Sequence, residues 1–206
     1  RHGIKKLLYF ASSCVYPKIC PQPMKESSVL TGPLEPTNEA YAVAKIAGMK
    51  LCQAYNQEFA GEESSTKFIT CIPANVFGPG DDFDLEESHV IPSLMRRMHE
   101  AKLSGAARVE IWGSGNPRRE FIYSQELADA SISLMADYED GEPINVGVGS
   151  ELSIRELALR IQDVVGYVGE LEFNTSRPDG IPAKLLDSSR LAARGWHPTI
   201  NLSDAL

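Results

Sequence analysis

The segment Tyr41-Ala-Val-Ala-Lys45 carries the sharpest chemical signal in the sequence. A tyrosine and a lysine four residues apart project from one face of a helix, one turn from each other. An ammonium beside a phenol favours the phenolate, which makes Tyr41 a usable donor or acceptor of a proton near neutral pH. The same spacing also fits a solvated helix face. Ser12-Ser13-Cys14 follows the apolar run Leu7-Leu-Tyr-Phe-Ala11, which reads as a buried strand of a parallel sheet. In open α/β sheets, ligands bind outside the carboxyl ends of the strands. A serine hydroxyl there can bond a substrate oxygen that Tyr41 also reaches, although strand-end serines also serve to satisfy loose backbone groups. Serine at a strand end, followed by Tyr41 and Lys45 on the next helix, is more specific than either half alone.

These residues need elements to hold them. Between Tyr16 and Pro36 lie five prolines, Pro17, Pro21, Pro23, Pro33 and Pro36, so no helix crosses that loop. Thr37 or Asn38 offers an N-cap with Glu39 in the first turn, and a helix is predicted over 39–59. Val43, Ala47, Leu51 and Ala54 recur at helical spacing and are expected to form its buried stripe. A polar break at 61–65 leads to a strand over 67–74, and the Gly, Pro and Asp content of 75–87 reads as loop. Helices are then expected over 90–101, 125–135, 153–165 and 188–194. Pro92 is tolerated in the first turn of the first of these, Ser153 with Glu156 makes a capping box, and Gly195 closes the last. Short strands fall at 109–112, 121–123, 144–146 and 171–173, with a turn over 113–117. Strand and helix alternate throughout, which argues for α/β architecture with parallel strands. A parallel first strand needs neighbours, so earlier strands are expected ahead of Arg1.

Composition narrows the function. The 206 residues are 43% hydrophobic and 23% charged, ordinary values for a chain that buries a sizeable core. A net charge of −8 repels phosphate backbones, so no nucleic-acid partner is expected, though a local basic cluster can still hold one small anionic ligand. No apolar run is long enough to suggest a membrane partner. The four cysteines, Cys14, Cys20, Cys52 and Cys71, form no C-x-x-C pair, and a reduced, cytoplasmic setting is expected. His2, His99 and His197 show no metal-ligand spacing, and no metal site is expected.

The chain resembles the extended short-chain dehydrogenase/reductase family, and within it the branch of GDP-keto-sugar epimerase/reductases. The matching stretches are Ser12-Ser-Cys-Val-Tyr-Pro17, Leu34 to Glu39, Tyr41 to Gly48, Asn75-Val-Phe-Gly-Pro79, Ser88-His-Val-Ile-Pro92, Trp112-Gly-Ser-Gly115, Arg119-Glu-Phe121 and Pro178-Asp-Gly180. They span nearly the whole chain in the family's order. The resemblance implies a Rossmann-like doubly wound parallel sheet lacking its first strands, with a smaller α/β substrate-binding lobe. Residues 1–80 would complete the dinucleotide-binding domain, and 81–206 would form mainly the substrate lobe, with about 120–150 returning to the first domain. Such enzymes open with a Gly-rich turn that holds the cofactor pyrophosphate. Gly113-Ser-Gly115 and Gly147-Val-Gly149 lack its third glycine, and roughly the first ~100 residues of the family pattern have no counterpart here. The chain alone is therefore expected to bind NADPH poorly.

The implied reaction converts GDP-4-keto-6-deoxy-D-mannose to GDP-L-fucose, by inversion at C3 and C5 and NADP(H)-dependent reduction at C4. A C4 ketone acidifies its neighbouring protons, and Cys14 and His89 are implied as the base and acid. Ser12 and Tyr41 would donate to the C4 oxygen as charge develops, and Lys45 would tune Tyr41. The cofactor would be lined by Phe10, Ala11, Ser12 and Ser13 at one strand end and by Pro73, Ala74, Asn75 and Val76 at another. Tyr41, Lys45 and His89 would complete that lining.

For the GDP-sugar, Arg97, Arg119 and Lys184 are the implied basic groups, with Trp112 against the nucleotide or bracing its loop and Asp179 beside them. The doublets Arg96-Arg97 and Arg118-Arg119 equally fit solvated charges. Two positions depart from the family pattern. Ile122-Tyr123-Ser124 stands where histidine and paired aspartates are usual, and Ala183 where arginine is usual. A homodimer through the helix bearing Tyr41 and Lys45 is also implied. The alternatives are another nucleotide-sugar epimerase/reductase of the superfamily, or a truncated nucleotide-sugar-binding protein without turnover. Serine and cysteine after Ser12, where dehydratases typically need acidic residues, disfavour dehydration.

Overall fold

A computed structural model describes residues 3–61, 66–85 and 88–206. The predicted break at 61–65, the end of the 75–87 loop, and Arg1 and His2 thus fall wholly or partly outside the described residues. The chain runs β1 (Lys6–Phe10), α1 (Glu39–Glu58), β2 (Lys67–Pro73), β3 (Asn75–Phe77), α2 (Val90–Ser104), β4 (Arg108–Trp112), β5 (Arg118–Arg119) and β6 (Phe121–Tyr123). It continues through α3 (Ser124–Asp137), β7 (Ile144–Val146), β8 (Leu152–Ser153), α4 (Ile154–Val165), β9 (Glu170–Asn174), β10 (Ala183–Lys184), α5 (Ser189–Ala192) and α6 (Leu202–Ala205).

β1, β2 and β7 form a parallel sheet in that order, with Lys6 opposite Lys67 and Cys71 opposite Ile144. β2 is its centre, and Ile69 to Pro73 are all buried, as a strand covered on both faces requires. β1 lies at one edge, and its Leu7 and Phe10 stay exposed. The α/β reading holds: the architecture is Rossmann-like, with parallel strands and interspersed helices. Three further small sheets pair β3 with β6, β4 with β9, and β5 with β8 and β10.

Two apolar clusters hold these layers. One gathers Ile46 and Met49 of α1, Ile69 and Ile72 of β2, Ile144 of β7 and Leu134 of α3. The other gathers Leu94 and Met98 of α2, Ile111 of β4, and Leu157 and Ile161 of α4. Each fully buried side chain of this size contributes roughly 1.5–3 kcal/mol. α4 starts where its sequence says it should. The Ser153 hydroxyl accepts from the Glu156 N–H at 3.1 Å, and the Glu156 carboxylate accepts from the Ser153 N–H at 2.7 Å.

Two expectations are corrected. The stripe Val43, Ala47, Leu51 and Ala54 is not buried; α1 buries Ala42, Ile46, Met49 and Cys52, one register over. Both sets recur at helical spacing, so the pattern alone did not choose between them. Asn75–Phe77 is not loop but a strand, paired in parallel with Phe121–Tyr123. Its three residues sit too close to Gly78 and Pro79 for a local strand signal, and a partner 46 residues away holds it extended.

Candidate active site

At the carboxyl end of β1 the chain turns into a short 3-10 turn, Ser13–Val15, with Ser12 as its N-cap. The Ser12 hydroxyl oxygen accepts from the Cys14 N–H at 3.3 Å, so its own O–H proton stays available to a ligand. α1 begins one loop later and carries Tyr41 in its first turn, half exposed. Lys45, one turn on, donates from Nζ to the Phe10 carbonyl at 2.9 Å. Its ammonium lies 5.7 Å from the Tyr41 ring centroid and 5.5 Å from that of Tyr9. The last carbonyl of β1 thus orients the lysine, and the lysine lays positive charge beside the phenol.

Cys14 has two polar neighbours. Asn38 donates from Nδ2 to Sγ at 3.2 Å, and Lys184 from Nζ at 3.6 Å. Asn38 is the N-cap of α1 by position, but its side chain makes no capping bond and turns to the sulfur. Lys184 comes from β10, where it pairs in register with Arg119 of β5. Burial pushes the Lys184 ammonium below its ordinary value; Cys14 pulls it back up and Arg119 pushes it further down. Burial likewise lowers Arg119, against the pull of Glu151, Asp179 and Cys14.

The arginine doublets divide. Arg96 pairs with Glu100 at 2.8 Å, and Arg118 with Glu151 at 2.7 Å. Among the described residues Arg97 and Arg119 carry no ion pair. Arg97 stacks over Trp112 at 5.1 Å, and Arg177 lies over the same indole at 4.7 Å. Asp179 does not point to a free site: Ser114 donates to it from both N–H and hydroxyl, at 2.7 and 2.8 Å. That contact ties the turn at Gly113, whose φ of +84° lies in the left-handed region that favours glycine, and where an added Cβ would crowd the Asp179 carboxylate.

His89 is the N-cap residue of α2, exposed, and its ring makes no hydrogen bond to another described residue. No hydrogen bond joins it to Cys14. Of the strand-end residues, Ala11, Ser13, Pro73 and Ala74 are buried, whereas Phe10 is exposed. The Asn75 amide donates to the Glu120 carbonyl at 2.8 Å. A cavity of about 430 Å³ is lined by Tyr123, Glu126, Arg160 and Asn201 among others, and by none of the candidate residues.

Residues 1–147 match the model of the NAD dependent epimerase/dehydratase family. The chain belongs to that family. It is 51% identical over 205 residues to "GDP-L-fucose synthase 1" of Arabidopsis thaliana, covering 100% of this chain and 62% of that protein. A crystal structure of a GDP-L-fucose synthetase from Naegleria fowleri bound to NADP superposes with a TM-score of 0.93 at 33% identity, covering 98% of this chain and 64% of that one. A GDP-6-OMe-4-keto-L-xylo-heptose reductase from C. jejuni superposes with a TM-score of 0.90 at 35% identity, covering 98% and 68%. The chain thus spans about three fifths of the length of the curated relatives it matches.

Within this epimerase/dehydratase chain, three residues were not singled out from sequence. Asn38 reads as a helix cap until its amide is seen on Cys14. Arg177, just before the Pro178-Asp-Gly180 stretch, meets Trp112 only in the folded chain. Glu120, inside the quoted Arg119-Glu-Phe121 stretch, is 1% exposed, and its carboxylate accepts from the N–H groups of Val148, Gly149 and Leu186 at 2.7, 2.8 and 2.9 Å. A charged residue inside an arginine-aromatic run was the one available signal.

Proposed function

We propose that the protein bearing this chain is an NADP-dependent epimerase/reductase that converts GDP-4-keto-6-deoxy-D-mannose to GDP-L-fucose. The observation that carries the reading is the convergence of Ser12, Cys14, Tyr41 and Lys45 at the carboxyl end of β1, in a chain half identical to a GDP-L-fucose synthase. The donor set fits a nicotinamide ribose. Lys45 keeps two N–H groups after its bond to Phe10, and Tyr41 is half exposed beside it. Tyr41, Lys45 and the strand-end residues from Phe10 to Ser13 and Pro73 to Val76 would hold that end of NADPH, which supplies a hydride to C4 when bound.

The chain's own groups do the rest. Cys14 takes a proton from the carbon beside the C4 ketone, and His89, whose exposed ring makes no hydrogen bond to another described residue, returns one from the opposite face. The electron pair of each broken C–H bond moves to the C4 oxygen, where Ser12 and Tyr41 donate hydrogen bonds. Tyr41 gives up its phenolic proton as C4 is reduced, and the Lys45 ammonium stabilises the phenolate left behind. Arg119, Arg97 and Lys184 would bind the diphosphate, with Trp112 under the nucleotide base and Asp179 fixing the turn beside it. Residues 1–80 would complete the dinucleotide-binding domain and 81–206 mainly the substrate lobe. A homodimer would form through α1, whose exposed Val43 and Leu51 support that reading. Free thiols at all four cysteines support a cytoplasmic setting.

The test incubates the full-length protein with NADPH and GDP-4-keto-6-deoxy-D-mannose while nicotinamide absorbance is followed. NADPH consumption and GDP-L-fucose formation, both lost in Tyr41→Phe, bear the proposal out. Silence with that sugar and turnover of another GDP-4-keto-sugar would move the substrate toward the class named for the C. jejuni reductase. Ala183 and Ile122-Tyr123-Ser124, which depart from the family pattern in the substrate half, favour keeping that second reading open to the assay. Silence with every keto-sugar favours the non-catalytic alternative.

A further inference from the structure

We propose that Lys184 is a positioning residue that holds Cys14 as its thiolate, the form able to take a proton from the carbon beside a ketone. The inference rests on the reading of Cys14 as the base and assigns it a partner 170 residues away in the chain. Lys184 is 9% exposed. Among the described residues its ammonium has one polar side-chain partner, the Cys14 sulfur at 3.6 Å. A buried ammonium without a counter-charge is costly, and such groups are found paired. No carboxylate plays that part. Glu120, next to the strand pair, is committed to three backbone N–H groups, and Glu151 and Asp179 act on Arg119.

The groups facing Cys14 are therefore Asn38 from the start of α1, Lys184 from β10 and Arg119 from β5, two of them cationic. Positive neighbours favour a thiolate. Burial pushes Lys184 toward its neutral form, and Cys14 is the group that opposes this. Asn38 adds a hydrogen bond to the same sulfur, donating from Nδ2 at 3.2 Å. The balance of the step is simple. The thiol proton has already gone to solvent, the substrate C–H bond breaks, an S–H bond forms, and the electron pair moves to the ketone oxygen. A lysine devoted only to phosphate would have no need of the sulfur.

The test is alkylation of Cys14 by iodoacetamide in the full-length protein without substrate, followed across pH by mass spectrometry of the Cys14 peptide. Reading that peptide separates it from the half-buried Cys20. Lys184→Met, which removes the contact to the sulfur, should slow Cys14 alkylation at pH 7 about tenfold against the wild type, while Lys184→Arg keeps the wild-type rate. With turnover, Lys184→Met should lower kcat more than it raises KM. An unchanged alkylation rate in Lys184→Met, or in Lys184→Gln should the first fold poorly, overturns the proposal. The two readings fail separately: loss of C3/C5 proton exchange in Cys14→Ser tests the role of the base, and the alkylation profile tests its partner.

Discussion

Replacing Glu120 by glutamine tests the claim that one buried carboxylate joins the segments around the site. Its Oε1 accepts from Val148 and Gly149, and its Oε2 from Leu186, two residues past Lys184. The Glu120 N–H donates to the Lys184 carbonyl at 3.3 Å, and its own carbonyl accepts from Asn75. Burial pushes the carboxyl above its ordinary range, while the three N–H donors pull it back down. Glutamine keeps one acceptor oxygen but turns an NH₂ toward at least one of those N–H groups. A lost hydrogen bond to a charged group is worth roughly 1.5–3 kcal/mol, and the orphaned buried donor adds to the penalty. With 1% exposure, water cannot fill in. Glu120→Gln should therefore cost about 2–4 kcal/mol, which at a urea slope of about 2 kcal/mol per molar lowers the midpoint by about 1–2 M. The assay is urea unfolding of the full-length protein, followed by far-UV circular dichroism and tryptophan fluorescence. A midpoint within about 0.3 M of the wild type would refute the reasoning.

Ser153→Ala removes the capping box of α4 and should destabilise the protein by about 1 kcal/mol in the same unfolding assay. Burial pushes the Cys71 thiol up to about 12. The neutral thiol is then the form the fold favours, and that preference is complete below the ordinary thiol range and lost only as pH rises toward the shifted value. Cys71 should accordingly stay unmodified by iodoacetamide at pH 8.5 in native protein and react once urea exposes it, as peptide mass spectrometry would read. Leu51→Asp on the exposed face of α1 should convert the proposed dimer to monomer in sedimentation velocity without loss of helix content, because Leu51 touches solvent rather than the sheet. Tyr41→Phe should leave the fold unchanged and lower NADPH consumption by a factor of ~10² or more, the scale of a lost general acid.

Much of the frame was legible because its signals are local. The β1 and β2 runs, the start of α1 and the Ser153–Glu156 cap all rest on residues within a few positions of one another. The spacing of Tyr41 and Lys45, and the serine after β1, likewise belong to the sequence by itself, since a helix turn and a strand end impose them. What tertiary structure decided is what one stretch cannot know about another. α1 carries two apolar stripes, and only packing on β2 selected Ile46 and Met49 over Val43 and Leu51. Asn75–Phe77 became a strand because β6 lies alongside it. Asn38 left its capping role for a sulfur, Arg177 found Trp112, and Lys184 reached Cys14 across 170 residues. Charged and polar groups have few intrinsic preferences beyond solvation, so their partners are set by which buried groups the folded chain brings within hydrogen-bond reach.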